Sequence, residues 1–316
     1  MHGHALTIPR PDLTRWRAVF SWRSTCCMAM TRSIADQCLA LAWSQWVALG
    51  VSGTAPAADH AVSLETAMVF GSTMKSLDRR LYDEIADWCD RYASEFVSVS
   101  TLRHVLSWFD RRQQASFTEF VGEHGLSKLA GRLGIEPRAA SRLSGKSTCR
   151  TEHPAAIQLR ARKLFGIGAK ADILVRLVLE PPTEPSHWSR AAELATLGYE
   201  KKTITDAMHD LELGGLVDEV RRANASHYKL RDRAGLAQLL APLPAPHFPL
   251  WQRRLALAAS LAHAEQSSRT KSAISRAVEI KKALTEHRKT LAILGFGVDQ
   301  PPVKNIEQWI EPLLRP

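Results

Sequence analysis

The sequence predicts a mainly helical protein with one small β-hairpin near its centre. Apolar residues recur at helical spacing over most of the chain, and glycines and prolines break those runs at ordinary helix lengths. Apolar/polar alternation at period two is confined to the stretch around residues 216–230.

At 316 residues the chain is long enough for several domains with their own cores. Its net charge of +10 suits a polyanionic partner. Cys26, Cys27, Cys38, Cys89 and Cys149 are scattered, odd in number and contain no CxxC pair. That predicts neither a disulfide framework nor a zinc ribbon, and fits a reducing, cytoplasmic setting. His2 and His4 have no companion ligands nearby, so neither a metal nor a cofactor is expected. Nothing approaches the run of about eighteen apolar residues that a membrane helix needs. Residues 1–33, with Arg10, Arg15, Arg17 and Arg23, read as a basic, disordered leader. Its apolar runs are too short and broken for a secretory signal.

Residues 34–135 read as one all-helical domain. From Ile34 to Leu49 the apolar positions Ile34, Cys38, Leu39, Leu41, Ala42, Trp46 and Leu49 recur at helical spacing, and Gly50 stops the helix. A helix is expected over 60–70, broken at Gly71-Ser72, and another from Leu77 to Tyr92. The latter buries Leu81, Ile85, Trp88 and Cys89, and shows solvent an acidic face of Asp78, Asp83, Glu84, Asp87 and Asp90. Leu102 to Phe109 and Phe117 to Leu129 continue the pattern. Residues 136–160 turn polar and read as a linker. Residues 232–249 form a second join, rich in proline. Residues 246–316 then make a C-terminal helical region, with helices over 251–264 and 272–294 and at most a short one over 306–311.

The informative stretch lies in a domain placed at 161–235. Ala169 to Leu179 is a helix with Ile173, Leu174, Leu177 and Val178 at core spacing, stopped by Pro181-Pro182. Ser189 fits an N-cap for a second helix through Leu197, burying Ala192, Leu194 and Ala195, with Gly198 turning the chain. A third helix runs from Lys201 to Leu213 with Ile204, Ala207, Met208 and Leu211 inward, and Gly214-Gly215 end it. Two strands follow, over 216–222 and 227–230. Three short helices and a basic hairpin follow the order of a winged helix-turn-helix. A helix that enters the major groove needs small, polar or basic side chains on its outward N-terminal half. A wing tip that meets phosphates needs cations.

The motifs AAELATLGY, ITDAMHDLELGGLV and HYKL in this stretch resemble the winged helix-turn-helix domains of bacterial transcription regulators of the MarR and ArsR type. The resemblance implies that Lys201, Lys202, Thr203, Thr205 and Asp206 face bases or flanking phosphates. It also implies that Arg221, Arg222 and Asn224 hold the backbone beside the minor groove. His209, His227 and Lys229 complete the expected DNA-binding surface. The implied function is transcription regulation by a homodimer on double-stranded DNA, since one such unit reads few bases. The alternative from a different class is a protein-interaction scaffold or antitoxin-like subunit of a bacterial defence or toxin-antitoxin complex that binds a partner through the winged helix. The near-neutral charge of that domain and the acidic 78–90 face support it.

No catalytic constellation emerges, and an enzyme is not expected. Gly145-Lys146-Ser147-Thr148 imitates the end of a phosphate-binding loop, but Ala140 stands where the first glycine belongs. Gly71-Ser72 followed by Asp83, Glu84 and Asp87 faintly resembles a nucleotidyltransferase. Those acids fall on a helical pattern and not one residue apart on a strand, which two-metal chemistry would need.

Overall fold

A computed structural model describes residues 33–138, 143–179, 188–194, 197–222, 225–240, 251–295 and Leu314. The leader, the Pro181-Pro182 stop, Ala195, Asn224, the prolines of 242–249 and the 306–311 helix lie outside the described residues. What is described is mainly helical with a three-stranded antiparallel sheet. No described helix is long and apolar enough to cross a membrane.

The first helix, α1 (Ile34–Leu49), starts at Ser33, whose hydroxyl accepts from the Asp36 amide, and ends at Gly50 in the left-handed region (φ 108°). The second, α2 (Leu64–Ser72), begins later than expected because the Val62 amide donates to the Ala155 carbonyl, holding residues 61–62 out of the helix. Gly71 does not break α2. It lies inside the helix where a Cβ would sit 2.6 Å from Ile85 Cδ1 and 2.9 Å from Trp46 Nε1, so it serves close packing. Asp78 caps α3 (Arg79–Phe96), which buries Leu81, Ile85, Trp88 and Cys89 as expected and continues to Ala93 and Phe96. α4 (Val99–Leu106) is capped by Ser98, and α5 (Arg111–Glu123) by a reciprocal Asp110–Gln113 box. The helix expected from Phe117 to Leu129 is divided at Gly125 (φ 59°), and α6 (Ser127–Leu133) follows.

The acidic face expected on α3 is largely consumed inside the fold. Asp78 also accepts from Trp43 Nε1 at 2.9 Å, and Asp83 pairs with Arg79 at 3.0 Å. Asp87 is 1% exposed and accepts from the Gly145 and Ser147 amides at 2.8 and 2.9 Å. Glu84 accepts from the Ser144 and Ser147 hydroxyls. The polar stretch read as a linker is thus a strap across the body. Its Thr148 and Arg150 amides donate to the Gly50 and Leu49 carbonyls, and Arg91 donates to the Gly145 and Ser147 carbonyls. The loop that imitates a phosphate cradle spends its amides on Asp87. We expect Asp87→Ala to strand two amides, lower stability by about 2–3 kcal/mol, and open the strap to trypsin after Lys146. Unchanged proteolysis and an unchanged unfolding midpoint would contradict this.

The end of the expected linker is structured as well. A 3-10 turn at Pro154–Ala156 leads into α7 (Ile157–Phe165), and α8 (Ala169–Leu179) follows. Where a helix cap was expected, Ser189–Arg190 form a short strand, β1, and α9 (Ala191–Leu194) is a single turn with Ala192 exposed. The next helix, α10, spans Lys201–Leu213, and the strands are β2 (Val217–Arg222) and β3 (Ala225–Leu230). Sheet order is β1-β3-β2. The second expected join contains a helix, α11 (Arg233–Leu240), which buries Leu236 and Leu240. Three further helices follow, α12 (Trp251–Ser267), α13 (Ala273–Glu286) and α14 (Arg288–Ile293). The helix expected over 272–294 breaks at His287, whose ring reaches the Ser260 hydroxyl at 2.8 Å.

Two apolar cores result. The first joins α1–α6 and the Ala155-Ala156 turn to Leu255, Leu257, Leu261, Ile280, Leu284 and Leu291, so the C-terminal helices complete the N-terminal body. The second lies under α7, α8, α10, α11 and the sheet, centred on Ile173, Leu174, Ile204, Met208, Val217 and Tyr228.

Candidate nucleic-acid interface

The inward stripe of α10 is the expected one: Ile204, Ala207, Met208 and Leu211 are buried against α8 and the sheet. That fixes the opposite face, and Lys201, Lys202, Thr203, Thr205, Asp206 and His209 are all exposed. Glu200 takes the N-cap position without a side-chain cap bond, so its carboxylate leaves the first-turn amides free of a side-chain acceptor. Thr205 donates its hydroxyl back to the Lys201 carbonyl at 3.0 Å. Further along, Asp210 is held by Lys170 at 2.7 Å, which lowers its pKa, and His209 lies 3.6 Å from Glu212. Among the described residues, Lys201, Lys202 and Arg221 form no ion pair.

The hairpin pairs Arg222 with Ala225, Arg221 with Ser226, Val220 with His227 and Asp218 with Lys229. Directly paired residues share a face, so alternation separates the two arginines. Arg221 continues the face that buries Val217, Tyr228 and Leu230, beyond the end of that core. Arg222 shares the outer face with His227 and Lys229, and its guanidinium lies 5.7 Å from the Trp188 ring centroid. Asn224 lies outside the described residues.

His227 departs from its expected role. β1 pairs with β3 so that Arg190 sits opposite His227, and Arg190 Nε donates to His227 Nε2 at 3.1 Å. The ring is only 8% exposed, with Nδ1 3.1 Å from the Ala225 carbonyl. Arg190, the residue that covers it, belongs to the strand that forms where the sequence predicts a helix cap.

Sequence reasoning missed what fixes this interface on the helical body. Arg162 on α7 is fully buried. Nη1 donates to Glu65 Oε1 and to the Phe96 carbonyl, both at 2.6 Å, and Nη2 to Asp172 Oδ2 at 2.7 Å and Glu65 Oε2 at 3.2 Å. Nε donates to Asp172 Oδ1 at 2.9 Å, which occupies every N–H of the side chain. Tyr199, just before α10, donates to Asp172 Oδ2 at 2.7 Å and lies 3.2 Å from the Ser98 hydroxyl. Glu65 also accepts from the Ser98 amide at 2.8 Å. Burial raises the Glu65 carboxyl above the ordinary range even with Arg162 opposing it. Burial, then the Asp172 charge, likewise raises the Tyr199 phenol. Beside this cluster Gly198 (φ 86°) lies against α4, where a Cβ would come within 2.6 Å of His104 Cβ. The turn before α10 is therefore docked on the body.

No group of three or more His, Cys, Asp or Glu side chains that could hold a metal occurs among the described residues. Cys38 and Cys89 are buried in the first core, which raises both thiols well above their usual range. Comparison with protein-family models, curated proteins and solved structures finds no match for this chain.

Proposed function

We propose that residues 169–230 act as a winged helix-turn-helix that binds double-stranded DNA, and that the protein is a transcription regulator working as a homodimer. The observation that carries this reading is the exposed first turn of α10. Among the described residues Lys201 and Lys202 form no ion pair, no acid lies within that turn, and its amides lack a side-chain cap. A helix N-terminus so equipped attracts phosphate through its dipole and its cations together. Thr203, Thr205 and Asp206 then lie on the exposed face that would follow into the major groove. Arg221 at the hairpin tip supplies a second backbone contact, and Arg222 and Lys229 one on the outer face. His227, covered by Arg190, is dropped from the contact set.

The scaffold reading loses the acidic α3 face, most of which is engaged within the body. It keeps support in Leu213, 74% exposed at the end of α10, and in Asp206 amid the cations.

The test is a selection of duplex DNA from random sequence with the purified protein, followed by salt titration of Lys201→Ala/Lys202→Ala and Arg221→Ala/Arg222→Ala. For two lost phosphate contacts we expect log K against log salt to flatten by about 1.8 in each double variant. The α10 variant should also lose sequence preference. Unchanged binding in both variants, or one stoichiometric protein partner that masks α10, would overturn the DNA reading.

A further inference from the structure

The first turn of α10 is not the end of the cationic surface. Gly198 lies against His104, and Lys201 is three residues further on. At about 3.5 Å per residue that places Lys201 within roughly 11 Å of Gly198. Arg103, exposed on α4, is the neighbour of His104. One turn along, Trp108 donates to His104 Nε2 at 3.2 Å, and Arg253 from the first turn of α12 lies 4.4 Å from the Trp108 ring centroid. Asp110 follows, accepting from the Ser260 hydroxyl, and Ser260 in turn meets His287 at 2.8 Å. Arg111 and Arg112 directly follow Asp110, and Arg288 and Lys289 directly follow His287; all four are exposed. A chain of contacts thus runs from the α10 end across α4 and the start of α5 to α12 and the start of α14. Among the described residues, none of these six arginines and lysines forms an ion pair. The carboxylate of Asp110 is engaged by Ser260 and its own helix cap; Glu279, paired with Lys271, and Glu286 line the same cleft as Arg111 and Arg112.

We propose that this corner of the helical body is a second phosphate-binding track, on which the sugar-phosphate backbone of a DNA duplex continues past α10. The inference rests on the DNA reading of α10 and extends it: the body itself would supply sequence-independent affinity, with α10 reading bases. An unpaired line of cations drawn from α4, α5, α12 and α14 complements a regularly charged backbone. An anionic lipid surface would instead call for apolar and basic side chains on one helix face. The strongly exposed apolar pair on α13, Ile274 and Val278, sits at the far end of that helix from Arg288 and Lys289.

The experiment measures binding of the full chain to a random-sequence duplex of about three helical turns, some 30 base pairs, across a salt series. It compares Arg103→Glu, Arg288→Glu/Lys289→Glu and Arg111→Gln/Arg112→Gln with Lys128→Glu/Lys146→Glu, which alters two exposed lysines off the track. We expect the off-track variant to keep the wild-type salt slope. The Arg288/Lys289 variant should lose at least tenfold in affinity at 0.1 M salt and flatten the slope by about 1.8. Circular dichroism on every variant, with the milder glutamine pair at α5, separates lost binding from lost folding. Track variants that bind like the off-track control overturn the proposal, as does track-dependent binding to phosphatidylserine vesicles without binding to duplex. Lys201→Ala/Lys202→Ala is run alongside. If it binds normally while the track variants fail, the track stands and the α10 reading falls; the reverse result sinks the track alone. A wild-type chain that binds no duplex overturns both.

Discussion

Replacing Arg162 with methionine should destabilise the protein by about 3–5 kcal/mol, the effect expected when one partner is removed from a buried ion network. The guanidinium faces two buried carboxylates, Glu65 and Asp172, and one carbonyl. Methionine fills part of the volume but leaves both carboxylates uncompensated. The loss should also depend on pH in a defined direction. Burial already raises the Glu65 pKa in the folded state, and removing Arg162, which opposes that rise, would raise it further. A folded pKa above the unfolded value contributes stability that is full below the unfolded pKa and is lost as pH rises through the folded one. The deficit of Arg162→Met relative to wild type should therefore be smallest near pH 5 and grow toward pH 8. Adding Glu65→Gln to Arg162→Met should remove part of that slope. Urea unfolding at several pH values would read both effects, and a deficit independent of pH would show that the carboxylates are not what Arg162 restrains.

Gly198→Ala should be the most damaging small substitution in the turn before α10. Two costs add. The backbone is in the left-handed region, which costs a residue with a Cβ about 1–2 kcal/mol. The new methyl would also press on His104 Cβ in a helix, which cannot swing aside, adding an overpacking cost of about 1–3 kcal/mol. Gly215→Ala separates them. It shares the positive φ, 72°, but its nearest neighbour is the flexible end of Arg231 at 3.3 Å. Only the backbone part should appear there. If thermal unfolding gives equal losses for the two variants, the turn before α10 does not bear on α4 in the way described.

Local signals were legible and long-range ones were not. Helices α1, α8 and α10 fall on their expected residues because each shows a clean apolar stripe, and α1 and α10 end at glycine stops, Gly50 and Gly214-Gly215. The exposed α10 surface followed from that stripe. Arg162 was hidden because it sits in a basic run, Arg160 to Lys163, where nothing local marks one guanidinium as the buried one. Its carboxylate partners lie ten and ninety-seven residues away. Asp87 is expected at the surface for a similar reason, since a helix pattern cannot tell that a distant strap will cover one acid of an acidic face. The β1 strand is not legible because Ser before a short apolar run fits a cap equally well, and without β1 His227 is expected on the DNA-binding surface.

The way the first core is divided along the chain sets an order of events during synthesis. Its early helices leave the ribosome first, but α12, which lies against α1 and α2, follows only after α7–α11 have been made. At about 5–20 residues per second, the interval between residues 157 and 267 lasts roughly 5–20 s, long compared with hydrophobic collapse. Through that interval the surfaces of α1, α2 and α5 that await α12 have no covering helix, while the segment from α7 to α11 already has its second core to itself. The younger part of the nascent chain can thus reach its final fold before the older part.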